Sequence, residues 1–127
     1  MLVTDTNFWI TLEEERANGQ VNGRAQVCLA AHRREPLAIS IITWGELAAG
    51  FANHSDLAAY LHRVSVVPLK EHVAWEASRI ERELRAQGLQ LGENDHWIAA
   101  TARVSGLRLV TNDRAFQRVP GPRVITF

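Results

Sequence analysis

The sequence predicts an α/β fold, a three-layer α/β/α sandwich around a central parallel sheet of about five strands. Three observations carry that prediction. Short apolar segments alternate with helical patterns along the whole chain, an order that calls for parallel pairing and a sheet covered on both faces. The segments at Leu2-Val3, 37–40, 66–69, 107–111 and 123–127 have strand length, and turn residues flank several of them. Two of them stop abruptly at acids, in Leu2-Val3-Thr4-Asp5 and in Leu109-Val110-Thr111-Asn112-Asp113.

Taken in order, the first strand carries Leu2 and Val3 into a core, and the polar residues from Asp5 onward cap the next helix. That helix covers 6–17, with Phe8, Ile10 and Leu12 ahead of the charge run Glu13-Glu14-Glu15-Arg16, which reads as a solvated end; Asn18-Gly19 stops it. Ala25, Cys28, Leu29 and His32 recur at helical spacing, predicting a helix over 22–34 that Pro36 ends. A buried strand follows at 37–40. The Ala- and Gly-rich stretch 41–52 reads as a third helix, closed by Asn53-His54-Ser55, with Asp56 capping a short amphipathic helix over 56–64 through Leu57, Tyr60, Leu61 and Val64.

Pro68 marks the strand at 66–69 as an edge or its end. Val73, Ala77, Ile80 and Leu84 form one stripe of a helix over 71–87, and Gly88 stops it. The next helix, 93–105, carries Ile98, Ala99 and Ala102 on one side and ends at Gly106. A strand at 107–111, a turn or short helix at 112–117, and a last strand at 123–127 behind Pro120-Gly121-Pro122 complete the chain. With no internal repeat, low-complexity tract or linker, residues 1–127 read as one domain.

A chain of 127 residues buries roughly two-thirds of its unfolded surface, enough for a core without staples. Cys28 is the only cysteine, which rules out an intramolecular disulfide and fits a reducing cytoplasm. Fourteen basic residues balance fourteen acidic ones, so a polyanion would have to be held by a local patch or by metal ions. Neither a signal peptide nor an apolar run of membrane-spanning length is visible. These features describe a soluble, cytoplasmic protein with no membrane contact.

Four acids concentrate the chemistry. Asp5 and Asp113 follow strands, and ligands of open α/β sheets sit outside strand carboxyl ends, near the point where strand order reverses. Glu46 is the only formally charged residue between Pro36 and Ser55, which reads as a carboxylate on a crevice rim opposite something positive. Asp95 lies in the first turn of its helix and shares the inward stripe of Ile98, Ala99 and Ala102. Simpler roles exist for each: a helix cap for Asp5, a turn residue for Asp113, a solvated edge for Glu46, a helix-dipole partner for Asp95. Two carboxylates about 4 Å apart repel by on the order of 4 kcal/mol at an effective dielectric of about 20. Lys70 is the only lysine, so a shared divalent cation is the natural solution, and oxygen-only ligands select Mg²⁺ or Mn²⁺ over zinc.

Asp5-Thr6-Asn7, Thr43-Trp44-Gly45-Glu46-Leu47, Asn94-Asp95-His96-Trp97-Ile98-Ala99-Ala100 and Leu109-Val110-Thr111-Asn112-Asp113-Arg114-Ala115-Phe116 together resemble the four motifs of PIN-domain nucleases, the VapC-type toxins in particular. The resemblance spans the chain in order. It implies an Mg²⁺- or Mn²⁺-dependent endoribonuclease acting as the toxin of a type II toxin–antitoxin system, leaving a 5′-phosphate and a 3′-hydroxyl on its RNA substrate. It also implies a homodimer inhibited by a VapB-like antitoxin whose tail enters the acidic crevice. Matched by motif, Asp5, Glu46, Asp95 and Asp113 become the catalytic and metal-binding acids, with Asn7 and Thr111 as supporting polar groups. Phe8-Trp9 is bulkier than the family's usual pair, and His96 is an unusual neighbour for Asp95.

Arg103, Arg114 and Arg118, with Arg108 and Arg123, could form a rim for the RNA backbone. Trp9, Trp44, Trp75 and Trp97 read mostly as core, Trp9 and Trp44 flanking the crevice. Other α/β families with acids at strand ends fit less well: a phosphate-signalling receiver needs an acidic pair after its first strand, and a haloacid-type phosphatase a second Asp where Asn7 stands. A non-catalytic PIN-fold module, its acids serving only a basic partner tail, is the alternative.

Overall fold

A computed structural model describes residues 1–127. Five parallel strands form one sheet: β1 (Leu2–Thr4), β2 (Leu37–Ser40), β3 (Val64–Val67), β4 (Arg108–Thr111) and β5 (Val124–Thr126), in the order β3-β2-β1-β4-β5. Six helices connect them: α1 (Thr6–Ala17), α2 (Arg24–Ala31), α3 (Ile41–Ala48), α4 (His54–Tyr60), α5 (Glu71–Ala86) and α6 (Glu93–Ser105), with a 3-10 helix at Arg114–Arg118. The chain steps outward from β1 to β3, then returns to the other side of β1 for β4 and β5. The order therefore reverses between β1 and β4, which pair directly with Thr4 opposite Val110.

Strand side chains alternate between two cores. Val3, Ala38 and Leu109 face α5 and α6, where they meet Val73, Ala77, Ile80, Leu84 and Ile98. Leu2, Ile39 and Val110 face the other way, onto Phe8, Trp9, Leu12, Ala25, Leu47 and Leu57. This is the sandwich that the alternating pattern predicts. No helix is long and apolar enough to cross a membrane.

Helix boundaries correct the sequence reading in places. α2 is shorter than 22–34 and buries only Ala25 fully. α3 stops at Ala48, well short of 52. The cap of α4 is Asn53, whose side chain accepts the Asp56 N–H, and not Asp56, so the helix begins at His54 and leaves Leu61 and Val64 beyond its end. β3 starts at Val64, with Pro68 just past its end and the strand on the sheet edge. Trp75 is 60% exposed instead of belonging to the core.

The charge run in α1 is not wholly solvated either. Glu15 is buried, and its two carboxylate oxygens accept the N–H groups of Ala25 (2.9 Å) and Gln26 (3.0 Å), capping α2 from a neighbouring helix. Gly23, the N-cap residue, makes room for it: a Cβ there would sit 2.0 Å from Glu15 Cδ. Gly23→Ala should therefore destabilise the fold by about 1–3 kcal/mol. Urea unfolding would read this as a lower midpoint, and an unchanged midpoint would rule out the capping contact.

Candidate functional site

Asp5 directly follows β1 and Asp113 lies just past β4; because these strands are neighbours, both acids open onto the carboxyl end of the sheet where the order reverses. Asp95 reaches that end by another route. α6 leads into β4 through Gly106, a left-handed residue at φ 64° that suits glycine, and Leu107, so α6 runs antiparallel to the strands and turns its first turn toward the crevice. α3 starts immediately after β2. Its Ile42 packs toward the α5–α6 core, and Glu46, one turn later, is exposed.

Asp5 is 3% exposed, yet both of its oxygens are held. Oδ1 accepts the Phe8 N–H at 2.9 Å, which caps α1 as the sequence predicts, and Oδ2 accepts the Thr111 hydroxyl. The same hydroxyl oxygen accepts the Asp113 N–H at 3.0 Å, and the Asp113 carboxylate accepts the Ala115 N–H at 2.9 Å. A continuous hydrogen-bond path thus links the ends of β1 and β4. Thr111 ties one acid to the loop that carries another.

Burial pushes the Asp5 carboxyl up to about 6; the negative charges of Asp95 and Asp113 add to the rise, while the hydrogen bonds from Thr111 and Phe8 oppose it. Asp95 is raised as well, first by burial, then by repulsion from Asp113 and Glu46, against the pull of His96. Asp5 therefore feels Asp95 and Asp113, and Asp95 feels Asp113 and Glu46. None of them forms an ion pair with lysine or arginine. No three carboxylate, imidazole or thiol groups close around a common point, so the site is an open crevice and not a cage.

Glu46 departs from expectation in one respect. It is exposed and has no cationic partner, because α3 turns it outward onto the rim beside other acids. The expected positive group opposite it is absent. Asn7 is exposed in the first turn of α1 and next to Asp5 in sequence, while Thr111 is buried at 1%.

The arginine rim is mostly overturned. Arg103 is clamped by Glu76 (2.7 Å) and Glu83 (2.8 Å), joining α5 to α6, and donates to the Pro120 carbonyl. It lies in the last turn of α6, at the far end of the sheet from Asp5. Arg108 opens β4 and pairs with Glu35, and Arg123 immediately precedes β5, so both also sit at the wrong end. Arg114 and Arg118 remain exposed, and Arg114 directly follows Asp113.

Sequence reading missed a set of buried hydroxyls. Ser40 ends β2 as Asp5 follows β1, and its Oγ accepts the Thr43 N–H at 3.0 Å to cap α3. Thr43 Oγ1 accepts from Ser40 (3.3 Å) and Thr6 (3.5 Å), bridging α3 to α1. Thr4 Oγ1 accepts the Trp9 indole N–H at 2.8 Å and donates to the Ala38 carbonyl at 3.4 Å. The unusual Trp9 thus braces the strand end beside Asp5. A strand-end serine three residues before Thr43 was the available signal.

Residues 2–122 match the PIN domain family. Ribonuclease VapC4 of Mycobacterium tuberculosis is 32% identical, over 69% of this chain and 75% of its own. The tRNA(fMet)-specific endonuclease VapC of Salmonella typhimurium is 34% identical, over 69% of this chain and 73% of its own. The fold is similar to that in VapBC-1 from nontypeable Haemophilus influenzae, with a TM-score of 0.80 and 25% identity, covering 98% of this chain and 96% of that one.

The Asp5 shift has a defined sign. Its carboxyl holds a proton in the folded chain up to about pH 6 that the unfolded chain loses near pH 4, so the folded state binds more protons in that window. That contribution to stability is fully present below pH 4 and is lost as pH rises through about 6, by on the order of 2–3 kcal/mol. Measured in EDTA by urea unfolding, Asp5→Asn should gain on the wild type by that order between pH 4 and pH 7.5. A stability difference that is the same at both pH values would refute the shift.

Proposed function

The chain belongs to the PIN domain family and to its VapC-type endoribonuclease toxins, and on that premise we propose that Asp5, Asp95, Asp113 and Glu46 hold Mg²⁺ or Mn²⁺ and hydrolyse RNA. One observation supports this reading: Asp5 repels Asp95 and Asp113, Asp95 also repels Glu46, and no lysine or arginine pairs with any of the four. An all-oxygen donor set suits Mg²⁺ or Mn²⁺, and an open crevice leaves ligand positions to water and substrate phosphate, as Mg²⁺ prefers. When bound, the cation supplies a water of lowered pKa and neutralises charge on the phosphate oxygens.

The chain's own groups do the positioning. The Phe8 N–H and the Thr111 hydroxyl fix both Asp5 oxygens, so that carboxylate meets a ligand in one orientation. Thr111 also fixes the Asp113 backbone, which keeps the second acid at a set distance from the first. Asp95 and Glu46 enter from α6 and α3 and complete the rim. Arg114, exposed beside Asp113, is the arginine assigned to an RNA phosphate in this reading. In the reaction a water oxygen bonds to phosphorus as the 3′-oxygen leaves, giving a 5′-phosphate and a 3′-hydroxyl.

The partner in this reading is a VapB-like antitoxin. A hollow of 310 Å³ beside Glu46 is lined by Trp9, Ile10, Leu47, Phe51 and Tyr60, with Glu13 and Glu14 on its edge. Apolar walls and an acidic rim suit a peptide bearing apolar and basic side chains. We further infer a homodimer working in the cytoplasm; the exposed Trp75 indole on α5 supports a covered surface there.

Purified protein should cleave RNA with Mn²⁺ or Mg²⁺ and lose about 100-fold or more of that activity in Asp5→Asn or Asp95→Asn, both still folded by thermal melting. Full activity in either variant would defeat the proposal. A folded wild type that binds a basic peptide but never cleaves RNA would favour the non-catalytic module.

A further inference from the structure

We infer that Gly92 is a positioning residue for Asp95, kept without a side chain so that the Asp95 carboxylate can lie over the start of α6. Gly92 occupies the N-cap position of α6 with φ −58° and ψ 152°, a conformation open to any residue. Backbone geometry therefore gives no reason for glycine here. Capping accepts glycine but does not require it: serine, aspartate and asparagine hold an N-terminus better, and α1, α3 and α4 use Asp5, Ser40 and Asn53 in that way. No side chain caps α6.

What the position does have is a close neighbour. A Cβ built on Gly92 would stand 3.0 Å from Asp95 Oδ2 and 3.6 Å from Asp95 Cγ. Asp95 is the third residue of the helix, where an acid commonly turns back toward the N-cap. A side chain at 92 would crowd that carboxylate and oblige it to give way by about a few tenths of an ångström. Serine would do more, since its hydroxyl would both accept the Asp95 N–H and offer a hydrogen bond to the carboxylate that a cation needs. The fold forgoes a side-chain cap at α6, as it does at α5, and here Asp95 keeps its position.

The inference rests on Asp95 being a metal ligand, and the test separates the two ideas. Calorimetric titration of the full chain with MnCl₂ would be run on wild type, Asp95→Asn, Gly92→Ala and Gly92→Ser, with thermal melts of each in EDTA. Gly92→Ala and Gly92→Ser should both weaken Mn²⁺ binding, by about fivefold, while the EDTA melting temperature falls by about 2–4 °C in the first, alanine being a poorer N-cap than glycine, and stays level or rises by about 1 °C in the second. Weaker metal binding in a fold that is no less stable is the signature of displacement, which loss of helix structure cannot produce. Affinities of both variants within about twofold of wild type, with Asp95→Asn clearly weakened, would overturn the role of Gly92 alone. Unchanged affinity in Asp95→Asn would overturn the metal reading beneath it. Weakened binding in Gly92→Ala alone, with Gly92→Ser at wild-type affinity, would also count against the inference.

Discussion

Mutual repulsion among carboxylates at the sheet's carboxyl end is the constraint on which the rest of this structure turns. Strand order makes β1 and β4 neighbours, so Asp5 and Asp113 cannot avoid each other, and α6 brings Asp95 to the same place. Burial is the largest cause of the rise at Asp5, and its acidic neighbours add to it. A protein selected only for stability would put a lysine or an apolar side chain here. This one instead fixes the buried acid with a backbone N–H and a threonine hydroxyl and leaves the charge uncompensated.

The surroundings follow from that choice. Hydroxyls of Ser40, Thr43 and Thr6 anchor the start of α3 to α1, the two helices that flank the crevice on the side of Glu46. Trp9 braces Thr4, and Thr4 reaches the Ala38 carbonyl of β2, so the strand end beside Asp5 is tied to its neighbour by more than its ladder. The strong ion pairs, Arg103 with Glu76 and Glu83, and Arg108 with Glu35, lie at the opposite end of the sheet. The ion pairs and the unpaired acids thus occupy opposite ends of the strands. That division lets the acidic end remain electrostatically unbalanced without endangering the fold.

Much of this was legible from residues. The stripe Val73, Ala77, Ile80, Leu84 names the buried face of α5, and the acids after β1 and β4 name the crevice, because periodicity and strand-end polarity are local signals. What escaped was tertiary. Asn53 and not Asp56 caps α4, since several neighbouring polar residues could serve and only packing chooses. Glu15 looked solvated because its partners, the N–H groups of Ala25 and Gln26, belong to the next helix. Arg103 looked available for RNA because its partners Glu76 and Glu83 lie far back in the chain. A cation was expected opposite Glu46 by the rule for buried acids, and the rule did not apply because Glu46 is exposed. Gly92 carried no signal at all until the place of a missing Cβ could be set against Asp95.

The central claim is that a divalent cation replaces protons that burial and repulsion hold on these acids. Proton release on Mn²⁺ binding measures it directly, by calorimetry at fixed pH in buffers of different ionisation enthalpy. With Asp5 titrating at about 6 and Asp95 raised as well, binding at pH 6 should release about half a proton or more per metal ion, falling toward zero at pH 8. Binding that releases no protons at pH 6, or no binding at either pH, would contradict it.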